Sequence, residues 1–280
     1  MRSAAIVGAG ELGGTIAHAL ARRDLVRAIT LVDDAGRVAA GKALDIAQAA
    51  PIEGFATELI GSTDFSSVAG AAVVVIADRV DGGEWQGEDA LMLLRRVSQV
   101  AAPAVIVCAG ASAREIVDRG VREVKIARTR LFGSAPEALA GAVSAVVALA
   151  LDGSPRDVAL GLLGVPPHHI VIAWEDATIG GFSLTRLMDE PVRRRLSAKI
   201  PALWPPGPHA LAAAAVKAIE SMAGRQRQII SAFVAPDGAT SASRRAAALP
   251  VRVTAAGIVE VVEPTLTNVD RVALANAMEI

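Results

Sequence analysis

Residues 3–20 read SAAIVGAGELGGTIAHAL, from Ser3 to Leu20, and their reading decides the architecture. Ser3 to Val7 is a short apolar run of strand length. Gly8-Ala9-Gly10-Glu11-Leu12-Gly13 then has the G-x-G-x-x-G spacing, and Gly14 to Leu20 continues as an Ala-rich helix. In such a unit the first glycine lets the chain turn, the second lets backbone approach a pyrophosphate, and the third lets helix pack on strand. The helix N-terminus adds free N–H groups and a partial positive charge for the phosphates. The glycines alone are weak evidence, but a second strand, Ala28 to Val32, ends at Asp33. That carboxylate stands about 20 residues beyond the last glycine, where it would accept from ribose hydroxyls and repel a 2′-phosphate. The expected cofactor is NAD rather than NADP. The expected binding set is Gly8, Gly10, Glu11, Leu12, Gly13, Asp33 and Ala77, the last closing a later strand.

The rest of the chain supplies the other layers. Across 280 residues, 52% are hydrophobic and mean hydropathy is +0.44, ample for a core in one large or two smaller domains. Lys+Arg 28 against Asp+Glu 29 leave a net charge of −1, so no general field draws nucleic acid or an anionic membrane. The lone Cys108 rules out an internal disulfide and fits a reducing compartment. The first strand begins almost at Met1, with no charged and apolar leader ahead of it, and the expected location is the cytoplasm. The most apolar run, Ala138 to Leu151, is too short for a bilayer and reads as a buried helix.

A helix from about Arg37 to Ala50 is expected to stop at Pro51, with small residues on one face. That face suits a partner helix or the protein's own sheet equally well by pattern. Strands are expected at Phe55 to Gly61, Ala72 to Ala77, Ala104 to Cys108 and before Phe132, with helices at Glu88 to Ala101 and Ala111 to Arg122. Alternation of this kind predicts an α/β, doubly wound parallel (Rossmann) sheet over residues 1–133. From 134 to 280 the order is irregular, predicting an α+β second domain packed closely on the first. Its expected elements are a helix at Glu137 to Leu151, strands at Asp157 to Leu163 and His169 to Trp174, and helices at Leu184 to Lys199 and His209 to Ala223. Strands at Gln228 to Val234 and Val251 to Val262 and a short helix after Thr267 complete it.

Taken together, GAGELGGTIAHAL, the aspartate of LVDD, GKALDIAQAAPIEGF, TDFSSVAGAAVVVIA, SPRDV and TIGGFSL resemble the malate/lactate dehydrogenase family over nearly the whole chain. The helix motif GKALDIAQAAP is more telling than the glycines, which many dinucleotide folds share. The resemblance implies hydride transfer by NAD, a histidine in a G-G-H-G-D segment held by an aspartate, arginines that clamp a carboxylate, and an asparagine in a T-N-P segment. It also implies pairing of subunits through the helix at Arg37 to Ala50, as homodimer or tetramer.

In this register the aspartate position is Leu139, the carboxylate-binding arginine position is Ala142 and the histidine position is Pro166. The asparagine position falls at Gly110, and the loop arginine positions fall near Asp81 and Gly87. The loop carries Asp78, Asp81, Glu84, Glu88 and Asp89 with Arg79 as its sole cation. At an effective dielectric of about 20, like charges 4 Å apart repel by roughly 4 kcal/mol, so inward-pointing acids would disfavour a dicarboxylate. The same acids also suit a solvated face.

Turnover of malate or lactate is therefore not expected, and two classes of function remain. One is a divergent NAD-linked oxidoreductase acting on a neutral or cationic small molecule, with His168 as its acid/base; this reading is slightly favoured because the cofactor turn is kept. The other is a catalytically silent NAD-binding sensor or assembly partner. His168 and His169 read equally well as a solvated strand entrance after Pro166-Pro167. His18 and His209 are weaker candidates. Glu175-Asp176 and Arg193-Arg194-Arg195 read as surface charge, and no Cys/His/carboxylate spacing supports a metal.

Overall fold

The computed structural model describes residues 1–225, 228–237 and 244–280. Six parallel strands form its first half: β1 (Ser3–Val7), β2 (Ala28–Val32), β3 (Glu58–Ser62), β4 (Val73–Ile76), β5 (Val105–Cys108) and β6 (Leu131–Gly133). Their order is β3-β2-β1-β4-β5-β6, so the chain reverses direction across the sheet between β1 and β4. In open α/β sheets this reversal opens the ligand crevice at the carboxyl ends of the strands. Val73 to Ile76 are all buried, as a central strand covered on both faces requires.

Helices α1 (Glu11–Arg22), α2 (Gly36–Glu53), α3 (Gly87–Val100) and α4 (Ala113–Arg122) connect these strands. Leu12, Ile16 and Leu20 recur at helical spacing on the buried stripe of α1, and its other face carries Glu11 and Arg22. Helix α2 corrects one expectation: Pro51 does not stop it. A proline in the last turn removes one amide donor, and the chain runs on to Gly54, which closes the helix at φ +78° with its N–H 2.8 Å from Ala50 O.

Helix α5 (Ala135–Ala150) leads into the second half, which is less regular than its sequence implied. The expected strand at Asp157 to Leu163 is instead a 3₁₀ turn at Pro155–Asp157 followed by two strands in different sheets, β7 (Val158–Ala159) and β8 (Leu162–Val165). Strand β9 (His169–Ile172) pairs with β8, while β10 (Thr178–Ile179) and β11 (Phe182–Ser183) join β7 in a small sheet. The helix expected from Leu184 to Lys199 is broken into α6 (Leu184–Leu187) and α7 (Glu190–Ser197). Asp189 starts the second piece by accepting from the Val192 amide at 3.0 Å, with Pro191 in the first turn.

Helix α8 (Pro208–Met222) packs along α1 and α5. Strands β12 (Ile229–Val234) and β13 (Ala247–Thr254) follow, then β14 (Gly257–Val261) and α9 (Asn268–Ala277), whose first turn is capped by Thr267. Strand β12 pairs antiparallel with β6 at Phe233 and Gly133, so one sheet runs continuously through both halves as β6-β12-β13-β8-β9. The half-buried Glu137 carboxylate tightens this junction: it accepts from the Ser231 amide at 2.7 Å and pairs with Lys217, tying α5 to β12 and α8. The halves share one hydrophobic core. No helix among the described residues is long and apolar enough to cross a membrane.

Candidate functional site at the carboxyl edge of the parallel sheet

The first helix starts at Glu11, directly after the glycine turn, and its leading amides face the crevice without partners in their own helix. The loop that follows β4 meets these amides. The Asp78 carboxylate accepts from the Leu12 amide at 3.2 Å through Oδ2 and from the Gly13 amide at 2.9 Å through Oδ1. Gly10 makes the approach possible. A Cβ there would lie 2.3 Å from Asp78 Oδ2 and 2.5 Å from the Arg79 carbonyl oxygen.

Asp33, at the end of β2, accepts from Ala9 N at 2.9 Å, Ala35 N at 2.9 Å and Val80 N at 3.3 Å. A carboxylate offers about four lone-pair sites, so one remains for a ribose hydroxyl. Of the other expected cofactor residues, Gly8 and Ala77 form the buried floor of the turn. Glu11 is exposed and lines a different groove, between α1, α2 and α8.

The second end of the loop closes a second helix. Glu84 accepts from Ala111 N at 2.9 Å and Ser112 N at 2.8 Å, and also from the Ser112 hydroxyl, at the start of α4. Gly110 lies beneath it: a Cβ there would come within 2.6 Å of Glu84 Oε2. Between these anchors Arg79 lies 5.1 Å from the Trp85 ring centroid and pairs with Asp81 at 3.6 Å and Asp89 at 3.9 Å. Glu88 turns outward to Arg119 at 2.5 Å. The acidic loop therefore splits in two. Asp78 and Glu84 point inward onto amide donors, which stabilise each carboxylate, while Asp81, Glu88 and Asp89 pair with arginines.

A cavity of about 410 Å³ stays open beside Asp33, bounded by Val32, Phe65, Val80, Trp85 and Arg96. Towards β5 the space is nearly filled, with about 10 Å³ left among Ala77, Glu84, Trp85, Cys108 and Gly110. The Cys108 thiol there is fully buried, and burial pushes its pKa up to about 12, so it stays neutral. Ser134 adds a buried hydroxyl with no hydrogen-bond partner.

Leu139, Ala142, Pro166 and His168 do not line the cavity beside Asp33. Leu139 is fully buried in the apolar core, and Ala142 is half-buried on α5. Pro166 joins Pro167 through a cis peptide in the β8–β9 turn, and His168 and His169 are exposed there. Strands β12 and β13 lie between β8 and β6, so β8 is three strand spacings from β6, roughly 14 Å. Neither histidine lines the cavity beside Asp33. His18 pairs with Glu53 at 3.0 Å in the α1–α2–α8 groove, which His209 also lines.

The inward role of Asp78 was not legible as such. The available signal was a carboxylate placed immediately after an apolar strand, at the point where the chain crosses the glycine turn.

For NAD, the residues that would hold it are all present. The amides of Leu12 and Gly13 suit the pyrophosphate and Asp33 suits the ribose, but Asp78 uses the same amides. The cofactor therefore fits once that side chain withdraws.

Residues 3–100 match the model of the lactate/malate dehydrogenase NAD binding domain, and NAD is the cofactor that this domain takes. A malate dehydrogenase of Thermomicrobium roseum is 28% identical over 98% of this chain and 94% of its own length. The solved malate dehydrogenase of Salinibacter ruber superposes with a TM-score of 0.86 at 22% identity, covering 98% of this chain and 93% of that one. That of Plasmodium falciparum gives 0.89 at 18%, covering 99% and 95%. Residues 3–100 are thus similar to the NAD binding domain of the lactate/malate dehydrogenases, and the whole chain is similar in sequence and fold to malate dehydrogenases.

Proposed function

We propose that the protein is an NAD-binding member of this family that does not turn over malate or lactate and serves as a dinucleotide-responsive binder. One observation carries the reading: the Glu84 carboxylate lies over Gly110, on the side where the family resemblance puts the substrate hydroxyl. An anionic hydroxy acid brought there would meet a second anion where the resemblance puts a neutral asparagine. Leu139, Ala142 and Pro166 add no proton relay and no clamp.

Residues 1–133 form the NAD-binding half in this reading and 134–280 the remainder. When bound, NAD supplies a hydride acceptor. The chain's own part is to hold the pyrophosphate on the Leu12 and Gly13 amides and the adenosine ribose on Asp33. Cytoplasmic location and self-association through α2 belong to the same proposal.

A second reading, an oxidoreductase for a neutral or cationic substrate, draws on Glu84 as the one titratable carboxylate lining the space beside Ala77 and Cys108. Calorimetry with NAD and NADP, followed by NADH formation across malate, lactate, simple alcohols and amines, separates these. Binding of NAD without turnover supports the first reading, turnover of an alcohol or amine the second, and turnover of malate or lactate overturns both. Asp33→Ala should weaken NAD binding, and an equal preference for NADP would overturn the ribose assignment.

A further inference from the structure

We infer that residues 78–85 are an internal plug, in which Asp78 occupies the pyrophosphate position and must leave before NAD can enter. The inference rests on the NAD reading above and extends it to how binding is regulated. Three anchors hold the plug: Asp78 on the Leu12 and Gly13 amides, the Val80 amide on Asp33, and Glu84 on the Ala111 and Ser112 amides. The first consumes the amides that the glycine turn presents to a dinucleotide, and the second takes one of the acceptor positions of Asp33.

A diphosphate cannot share those amides with a carboxylate. Both ligands use the same N–H donors, and two anions at hydrogen-bonding separation repel strongly in a half-buried site. NAD binding and Asp78 docking therefore exclude one another. The Gly10 Cα lets the loop approach, since a Cβ there would meet both the Asp78 side chain and the Arg79 carbonyl.

The exclusion has a quantitative form. A ligand that needs the open state binds with its intrinsic affinity scaled by the fraction of molecules that are open. A plug closed in nine molecules of ten or more weakens NAD by about tenfold or more, and a variant that cannot dock recovers that factor. The loop also carries its own reporter. Trp85 sits beside Arg79 with its indole Nε1 buried and unbonded, so its environment changes when the loop moves.

The test compares the full-length protein with Asp78→Ala and Asp78→Asn. NAD is titrated by calorimetry and by tryptophan emission, and amide exchange at Leu12 and Gly13 is followed by NMR without NAD. The expected result is protected Leu12 and Gly13 amides in the wild type, faster exchange in Asp78→Ala, and NAD binding at least about tenfold tighter in that variant. Asp78→Asn, which keeps the shape with a weaker acceptor, should fall between, and it carries the test if Asp78→Ala does not fold. Equal NAD affinity in wild type and both variants overturns the plug and leaves NAD binding standing. Failure of wild type and variants alike to bind millimolar NAD overturns the NAD reading and the plug with it.

Discussion

Glu84 Oε2 lies 2.8 Å from the Ser112 amide, so a side chain from the loop between β4 and α3 closes the N-terminus of α4. Helix N-termini leave unpaired donors, and a carboxylate that takes two of them acts as a cap from a distance in sequence. Glu84→Ala should lower stability by about 1 kcal/mol, and the melting temperature by roughly 2–4 °C. Thermal unfolding followed by circular dichroism measures this. An unchanged midpoint would mean that the contact contributes nothing in solution.

Malate and lactate should not be oxidised at a useful rate, and Pro166→His should not rescue them. General acid–base catalysis alone supplies about 10²–10⁴-fold. In the register that the resemblance implies, the relay position is the half-buried Pro166 of the β8–β9 turn and the clamp position is Ala142. Groups that act as a unit are not restored one at a time. The assay is NADH formation with either acid, and NADH consumption with oxaloacetate or pyruvate. Robust turnover by the wild type would show that another residue, with His168 the first to examine, serves as the base.

Self-association should depend on α2. That helix buries Ala39, Ala43 and Ile46 against the protein's own sheet but leaves Leu44 60% and Ile52 88% exposed. Leu44→Asp is expected to shift the protein from dimer to monomer in sedimentation at micromolar concentration. A wild type that already sediments as a monomer would remove the proposal.

Cys108 should be silent to thiol reagents in the native protein. Its thiol is buried at the end of β5, and burial raises its pKa from 9.0 to about 12. The folded state therefore holds this proton where the unfolded chain releases it. The stabilisation is complete below the unfolded value and is lost as pH rises from about 9 towards 12. Thiolate absorbance should not appear in the folded protein up to about pH 10, and labelling should track unfolding. Rapid labelling at pH 8 under native conditions would contradict the burial.

The parallel half was legible in the sequence because its determinants are local. A glycine turn between an apolar strand and a helix, and an aspartate after the next strand, define the Rossmann unit through spacing alone. Pro51 and the Leu184–Lys199 stretch were less legible, because Gly54 and the Asp189 cap override simple breaker and periodicity rules. In the second half, β7 and β8 lie close in sequence but belong to different sheets, a choice set by which strands are free to pair.

The sequence by itself determined the cofactor fingerprint and the acidic character of the loop, and in the register that the resemblance implies it puts Leu139, Ala142 and Pro166 at the catalytic positions. Only the tertiary structure decided where each acid points. Asp78 lies 65 residues beyond Gly13, and Glu84 lies 28 residues before Ser112, separations at which no periodicity or propensity carries information. Whether a loop carboxylate faces water or a helix N-terminus depends on free amide donors that the fold brings within 3 Å or so, and hydrogen-bond energy falls off too steeply with distance and angle to be read from composition.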